Sequence, residues 1–209
     1  MYEEAYSSVS INGHISGPIP IRCGIRQECP LSMILFAMCI HPFLQILDRN
    51  LSGEQLQRTR HRTAVIAYAD DVTVFVTKPE EFRIIRDIVR CFEKAPGAHL
   101  NTTKTKAIAM GGWETSRNDL GVEYHQTVTI LGIHFRSTME QTMHGNWTLQ
   151  TARIKTNAKQ AYIRELCLAQ RIRYIHNILL ATIWFTAQIL PAPVKYTKQI
   201  TTAIQWFIW

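Results

Sequence analysis

Ala64-Val65-Ile66-Ala67-Tyr68-Ala69-Asp70-Asp71-Val72-Thr73-Val74-Phe75-Val76 is the stretch on which the reading of this chain turns. The run from Ala64 to Ala67 and the alternating Val72, Val74 and Val76 predict two strands around a short turn, Tyr68-Ala69-Asp70-Asp71. Two aspartates at the tip of so apolar a hairpin are a local contradiction. Adjacent like charges repel, and Asp is a poor strand residue. A cation would resolve it: two divalent ions about 4 Å apart, held by such carboxylates, stabilise the attacking and leaving oxygens of phosphoryl transfer. A bare Asp-Asp is more often a solvated polar turn, and it is the apolar flanks that weigh against that plainer reading.

Working outward, Pro79, Glu80 and Glu81 open a helix with acids in its first turn, continuing through Phe82, Ile85, Ile88, Val89 and Phe92 until Pro96-Gly97 stops it. Upstream, Asn12-Gly13 inside Ser7 to Arg22 signals a hairpin, followed by a polar loop, Arg22 to Glu28. Pro30 then starts a mostly apolar helix to about Asn50, with Leu31, Leu35, Met38, Cys39, Leu44 and Leu47 as its core face and a kink expected at Pro42. A polar, Arg-rich connection covers Ser52 to Arg62. Downstream, Thr105 to Met110 and Val128 to Phe135 predict further strands. From Trp147 the pattern is helical, in two or three segments broken by Pro191 and Pro193. The fold class is α+β followed by all-α, with a domain boundary at residue 140 that divides 1–140 from 141–209.

Composition narrows the classes. With 209 residues, 46% of them apolar, the chain can build a core. Ile178 to Leu190, the most membrane-like run, is too short to span a bilayer and is expected as a buried helix. Glu3, Glu4 and Asn12 occupy the place of a secretory signal's apolar stretch, so the expected location is intracellular. Cys23, Cys29, Cys39, Cys91 and Cys167 form no C-x-x-C pair and are expected as small core residues, not a disulfide framework or a zinc site. The net charge of +7 is unevenly placed. Residues 1–140 carry 15 Lys or Arg against 15 Asp or Glu, whereas 141–209 carry 8 against the single Glu165. So one-sided a segment suits an anionic partner such as nucleic acid phosphate, a solvated basic face being the bland alternative.

Several motifs in one order now resemble a known family. Ala67-Tyr68-Ala69-Asp70-Asp71 looks like the metal-binding turn of reverse transcriptases. Gly24-Ile25-Arg26-Gln27-Glu28-Cys29-Pro30-Leu31-Ser32 is similar to the R-Q-G-C-P-L-S stretch of non-LTR (LINE-type) retrotransposon enzymes. Gly97 to Lys104 resembles their G-x-x-L-N-x-x-K segment, and Ile130 to Phe135 their L-G-x-x-F hairpin. The resemblance implies a partial palm, an antiparallel sheet with packed helices over residues 1–140, and a basic helical thumb over 141–209. It implies an RNA-directed DNA polymerase that uses Mg²⁺, two ions in a complete site, an RNA template, a DNA primer and deoxynucleoside triphosphates, acts in the nucleus or cytoplasm, and needs no membrane.

Carried over residue by residue, the resemblance makes Asp70 and Asp71 metal ligands and Lys104 the acid that protonates pyrophosphate. Arg26, Gln27, Pro30, Ser32 and Tyr68 would touch template and nucleotide, and Leu131 and Gly132 would support the primer end. Arg153, Lys155, Lys159 and Arg164, then Arg171 and Arg173, would grip the duplex backbone. Trp147, Trp184, Trp206 and Trp209 are of a kind that stacks on bases, with core packing their more ordinary use. Two departures stand out. The family's further catalytic aspartate precedes the R-Q-G-C-P loop, whereas the first Asp here is Asp48, after it. Glu28 stands where the family has Gly. The chain alone is therefore expected not to polymerise DNA, and the alternative is a catalytically inert truncated relic that at most binds nucleic acid. A third possibility is a protein-binding module with an incidental Asp-Asp.

Overall fold

The computed structural model describes residues 6–21, 30–55, 61–94, 99–113, 115 and 120–209. The chain forms two compact units, Met1–Thr105 with Arg117–Val122, and Lys106–Ser116 with Glu123–Trp209. Both mix helices with two-stranded antiparallel pairs.

The first unit begins with an interrupted hairpin. β1 (Tyr6–Ser7) pairs with β4 (Ile19–Pro20) and β2 (Ser10–Ile11) with β3 (His14–Ile15). Its turn is Asn12-Gly13, with φ of 49° and 84°, the left-handed pair that a two-residue hairpin loop matched to strand twist requires. α1 (Pro30–Asn50) runs through Pro42 as one helix. β5 (Glu54–Gln55) and β6 (Arg62–Thr63) pair within what the sequence suggests is a polar connection. Gly53 between α1 and β5 has φ of 66°, and a Cβ there would lie 2.8 Å from the Thr63 carbonyl oxygen, so only glycine fits. β7 (Val65–Tyr68) and β8 (Asp71–Val74) form the expected hairpin, and α2 (Glu81–Phe92) follows it.

The core of this unit is Leu47, Leu51, Ala64, Ile85 and Val89, with Val65, Val74, Val76 and Leu100 packed against it. α2 is held at its start by Glu81, 3% exposed, whose carboxylate accepts backbone N–H bonds from Ser52 (2.7 Å), Thr77 (2.8 Å) and Lys78 (3.3 Å). α1 is not the core element its pattern suggested. Among its described side chains only Ser32 and Leu47 are buried, while Met33, Ile34, Met38 and Ile46 face outward. The reason is geometric: within this unit α1 meets α2 and β7, which cover one narrow stripe. Leu31–Asn50 is long and apolar enough to cross a membrane by length and composition.

In the second unit β9 (Thr127–Ile130) and β10 (Ile133–Arg136) form a hairpin that packs on α3 (Met139–Tyr162). Thr138 caps α3, its hydroxyl oxygen accepting from the Gln141 N–H. α4 (Leu168–Tyr174), a π-helical segment (Ile175–Leu180) and α5 (Ala181–Ile189) follow one another without a break; α6 (Val194–Ile208) comes after Pro191 and Pro193. α6 runs parallel to α3, since the pairs Thr148 with Tyr196, Lys155 with Gln199 and Tyr162 with Trp206 advance together. Two apolar clusters join the helices: Trp147, Ile154, Tyr196 and Ile200, then Ala158, Ala161, Ile175, Leu179 and Phe207.

The structure departs from several of these expectations. Thr105 to Met110 is not a strand; Ala107 makes a single bridge to Tyr124. The run Ile178 to Leu190 is not buried as a whole, because Leu179, Thr186 and Leu190 point inward while Trp184, Phe185 and Ile189 point out. Cys39, Cys91 and Cys167 are exposed, not core residues. Trp147 is buried as expected, but Trp184, Trp206 and Trp209 are not. The β9–β10 hairpin buries Ile133 and lies in the same compact unit as α3.

Candidate active site

The register Val65 to Val74, Ile66 to Thr73, Ala67 to Val72 and Tyr68 to Asp71 leaves Ala69-Asp70 as a two-residue loop. One face of the hairpin carries Val65 and Val74 onto the core. The other carries Ile66 and Tyr68, both exposed, and Asp71 stands directly across from Tyr68. Ala69 takes φ of 53°, a left-handed conformation that L-alanine adopts at a cost of about 1–2 kcal/mol. Strain of this kind persists where the surrounding structure imposes it, and it concentrates at functional turns. Asp70 and Asp71 are both exposed, and among the described residues neither joins an ion pair. They thus offer two adjacent uncompensated carboxylates, hard oxygen donors of the kind Mg²⁺ prefers. Among the described residues no group of three or more His, Cys, Asp or Glu side chains is placed to hold a metal. Asp48 is committed elsewhere, ion-paired with Arg62 at 2.9 Å.

Lys104 lies in the same compact unit as the hairpin. Its turn is organised by Asn101, whose side-chain oxygen accepts from the Thr103 hydroxyl (2.7 Å) and the Lys104 N–H (3.1 Å). Leu100 anchors the turn in the core, its N–H donating to the Glu93 carboxylate. Lys104 itself is exposed. Asn101 is the asparagine of the G-x-x-L-N-x-x-K segment, and its place three residues before Lys104 is the spacing of a side-chain turn motif. Ser32 is buried at the start of α1, and its hydroxyl has no partner among the described residues. Arg26, Gln27 and Glu28, and the side chain of Pro30, lie outside the described residues.

In the second unit Leu131 and Gly132 form the β9–β10 loop, with φ of 48° and 84°. The basic residues do not form one face. Lys155 and Lys159 share a flank of α3 one turn apart, whereas Arg153, two residues from Lys155, lies about 200° around the helix. Arg164 follows the end of α3, and Arg173 is exposed on α4. Arg171 is half-buried and has a structural task. Its Nε donates to the Leu166 carbonyl (3.0 Å) and its guanidinium donates to the carbonyls of Phe207 (3.1 Å) and Ile208 (2.9 Å), capping the end of α6.

Residues 1–135 match the family model described as reverse transcriptase (RNA-dependent DNA polymerase). That is more than half of the chain, and the chain belongs to this family. It is also similar to a protein of Xenopus laevis described as the transposon TX1 uncharacterized 149 kDa protein, 23% identical over 215 aligned residues. The alignment covers 100% of this chain and 16% of that relative's length.

Proposed function

We propose that the chain is the part of a non-LTR retrotransposon's RNA-directed DNA polymerase that runs from the middle of the palm into the thumb. The observation that carries this reading is the pair of exposed aspartates at the tip of a strained hairpin, Asp70 in its two-residue loop and Asp71 at the start of β8, within the stretch that matches the reverse transcriptase family. In it, Asp70 and Asp71 hold Mg²⁺, which when bound in pairs stabilises charge on the attacking and leaving oxygens of nucleotidyl transfer. Lys104 delivers a proton to the departing pyrophosphate. Arg26, Gln27, Pro30, Ser32 and Tyr68 face template and nucleotide, Leu131 and Gly132 support the primer end, and Lys155 and Lys159 lead the contacts to the backbone of the RNA template and DNA primer. Residues 1–140 are the palm and 141–209 the thumb.

Primer extension on an RNA template with Mg²⁺ tests this, using the chain, a version extended upstream, and Asp70→Ala/Asp71→Ala in both. Incorporation by the extended version alone, abolished by the double substitution, is the expected result. Incorporation that survives Asp70→Ala/Asp71→Ala would remove the metal role. The second reading, an inert relic that at most binds nucleic acid, is favoured by Glu28, a carboxylate where the family has glycine and an anionic substrate is expected. An extended version that stays silent until Glu28→Gly restores activity would select it.

A further inference from the structure

Three lysines of the second unit, Lys155, Lys159 and Lys195, line one flank of the α3–α6 pair. On α3, Lys155, Lys159 and Tyr162 follow each other at i, i+4 and i+7, just beside the buried residues Ile154, Ala158 and Ala161. On α6, Lys195 and Trp206 stand eleven residues apart on the flank that faces them, bracketing Gln199. The two rows meet: Lys155 Nζ lies 3.3 Å from Gln199 Oε1, and the rings of Tyr162 and Trp206 stack at 4.8 Å with an interplanar angle of 30°. Lys195 Nζ sits 5.8 Å from the Tyr196 ring. None of the three lysines has an ionic partner among the described residues. The only acid in residues 141–209 is Glu165, beyond the end of α3.

The aromatic pair is built to stay in place. The Arg171 guanidinium lies 5.2 Å from the Tyr162 ring centre and is itself fixed by the three carbonyls at Leu166, Phe207 and Ile208. Yet Tyr162 is 43% and Trp206 48% exposed, a poor use of two large rings if packing were their whole role. A preformed stack with an open face at the end of a row of ammonium groups that lack ionic partners among the described residues matches the chemistry of an unpaired nucleobase followed by its phosphates. A base inside a duplex has both faces covered by its neighbours. An unstacked base has a face to give.

We propose that this flank is a single-strand nucleic-acid site, with Trp206 on Tyr162 as the stacking platform and Lys155, Lys159 and Lys195 as phosphate contacts. From Lys195 to Trp206 it extends about 16 Å along α6, enough for a short run of nucleotides. The inference rests on the reading of the chain as a nucleic-acid enzyme and adds which form of nucleic acid this face takes: an unpaired segment, such as template beyond the duplex.

The test is affinity of the full 209-residue chain for a 12-nucleotide oligouridine and for a closed circular DNA duplex, each at several salt concentrations. Trp206→Ala is expected to weaken oligouridine binding roughly 5- to 150-fold, the loss of one stacked base, and to leave duplex affinity unchanged. Trp206→Phe keeps an aromatic face and should retain most of the single-strand affinity, which separates lost stacking from lost folding. Lys155→Gln with Lys195→Gln should flatten the salt dependence of oligouridine binding. Equal losses on both ligands, or no loss on oligouridine, would overturn the stacking site while leaving the chain a nucleic-acid binder. Binding to neither ligand at low salt would overturn the underlying reading as well.

Discussion

Asn146 pairs with the backbone of His134 as a neighbouring strand would. Its side-chain oxygen accepts the His134 N–H at 3.0 Å and its amide donates to the His134 carbonyl at 2.7 Å, with a second donation to Thr142 in its own helix at 2.7 Å. A helix side chain thereby finishes the edge of the β9–β10 hairpin. Asn146→Ala would leave the buried ends of these bonds unmet and is expected to destabilise the second unit by about 1–3 kcal/mol. Denaturant unfolding followed by tryptophan fluorescence measures it; a change below a few tenths of a kcal/mol would show that water replaces the amide.

Glu81 makes stability depend on acidity. Burial acts to raise its pKa, but the hydrogen bonds from Ser52, Thr77 and Lys78 outweigh it and hold the carboxyl below its ordinary value of 4.5. As pH falls, the unfolded chain therefore takes up this proton before the folded one. The stabilisation is present in full above the unfolded value and is lost as pH drops through the lower folded value. Unfolding midpoints of the parent and Glu81→Gln, measured from pH 7 downward, should differ most at neutral pH and converge in acid. A constant gap would assign the effect to packing.

Ala69→Gly removes the strain at the hairpin loop. The variant is expected to be about 0.5–1 kcal/mol more stable, the relief of a left-handed alanine less the entropy glycine gains when unfolded. Ala69→Val should move stability the other way. Chemical denaturation of the three proteins side by side decides, and no ordering by side chain would mean that the loop relaxes without penalty.

Arg171 and Arg173 should separate in their effects. Arg171→Gln loses the fork that caps α6 and is expected to lower stability by about 1.5–3 kcal/mol. Arg173→Gln, exposed on α4, should leave unfolding unchanged and weaken nucleic-acid binding with a reduced salt slope. Thermal unfolding and a salt titration of binding, run on both variants, would expose a reversal of these roles.

What the sequence disclosed was whatever short-range chemistry determines. Asn12-Gly13 and Pro79-Glu80-Glu81 name their turn and helix start because the conformational demands are local, and the Asp-Asp hairpin announces itself by alternation. Burial was less legible. The apolar pattern of α1 and the run Ile178 to Leu190 say that these helices have apolar faces, but how much of each face is covered depends on which elements reach it. Sidedness was lost for a related reason: Arg153 and Lys155 are neighbours in the sequence and far around the helix from one another. The double duty of Arg171 had no local sign, since its partners Phe207 and Ile208 are 36 and 37 residues away.

The π-helical segment Ile175–Leu180 has a consequence for how this chain tolerates change. Such a segment holds one residue more than an α-helical turn of the same reach. Removing one residue there would restore an ordinary α-helical turn and leave both the reach and the facing of the rod beyond it nearly unchanged, whereas removing one between Ala181 and Phe185 in the α-helical stretch would rotate everything beyond the cut by about 100°. In the second case Thr186 and Leu190 would swing out of their buried positions, and Ala187, brought into the place of Thr186, has no hydroxyl for Gln150. Length variation within this rod should therefore gather in the π-helical segment and avoid Ala181–Ile189, where a single codon sets the facing of the rest of the helix.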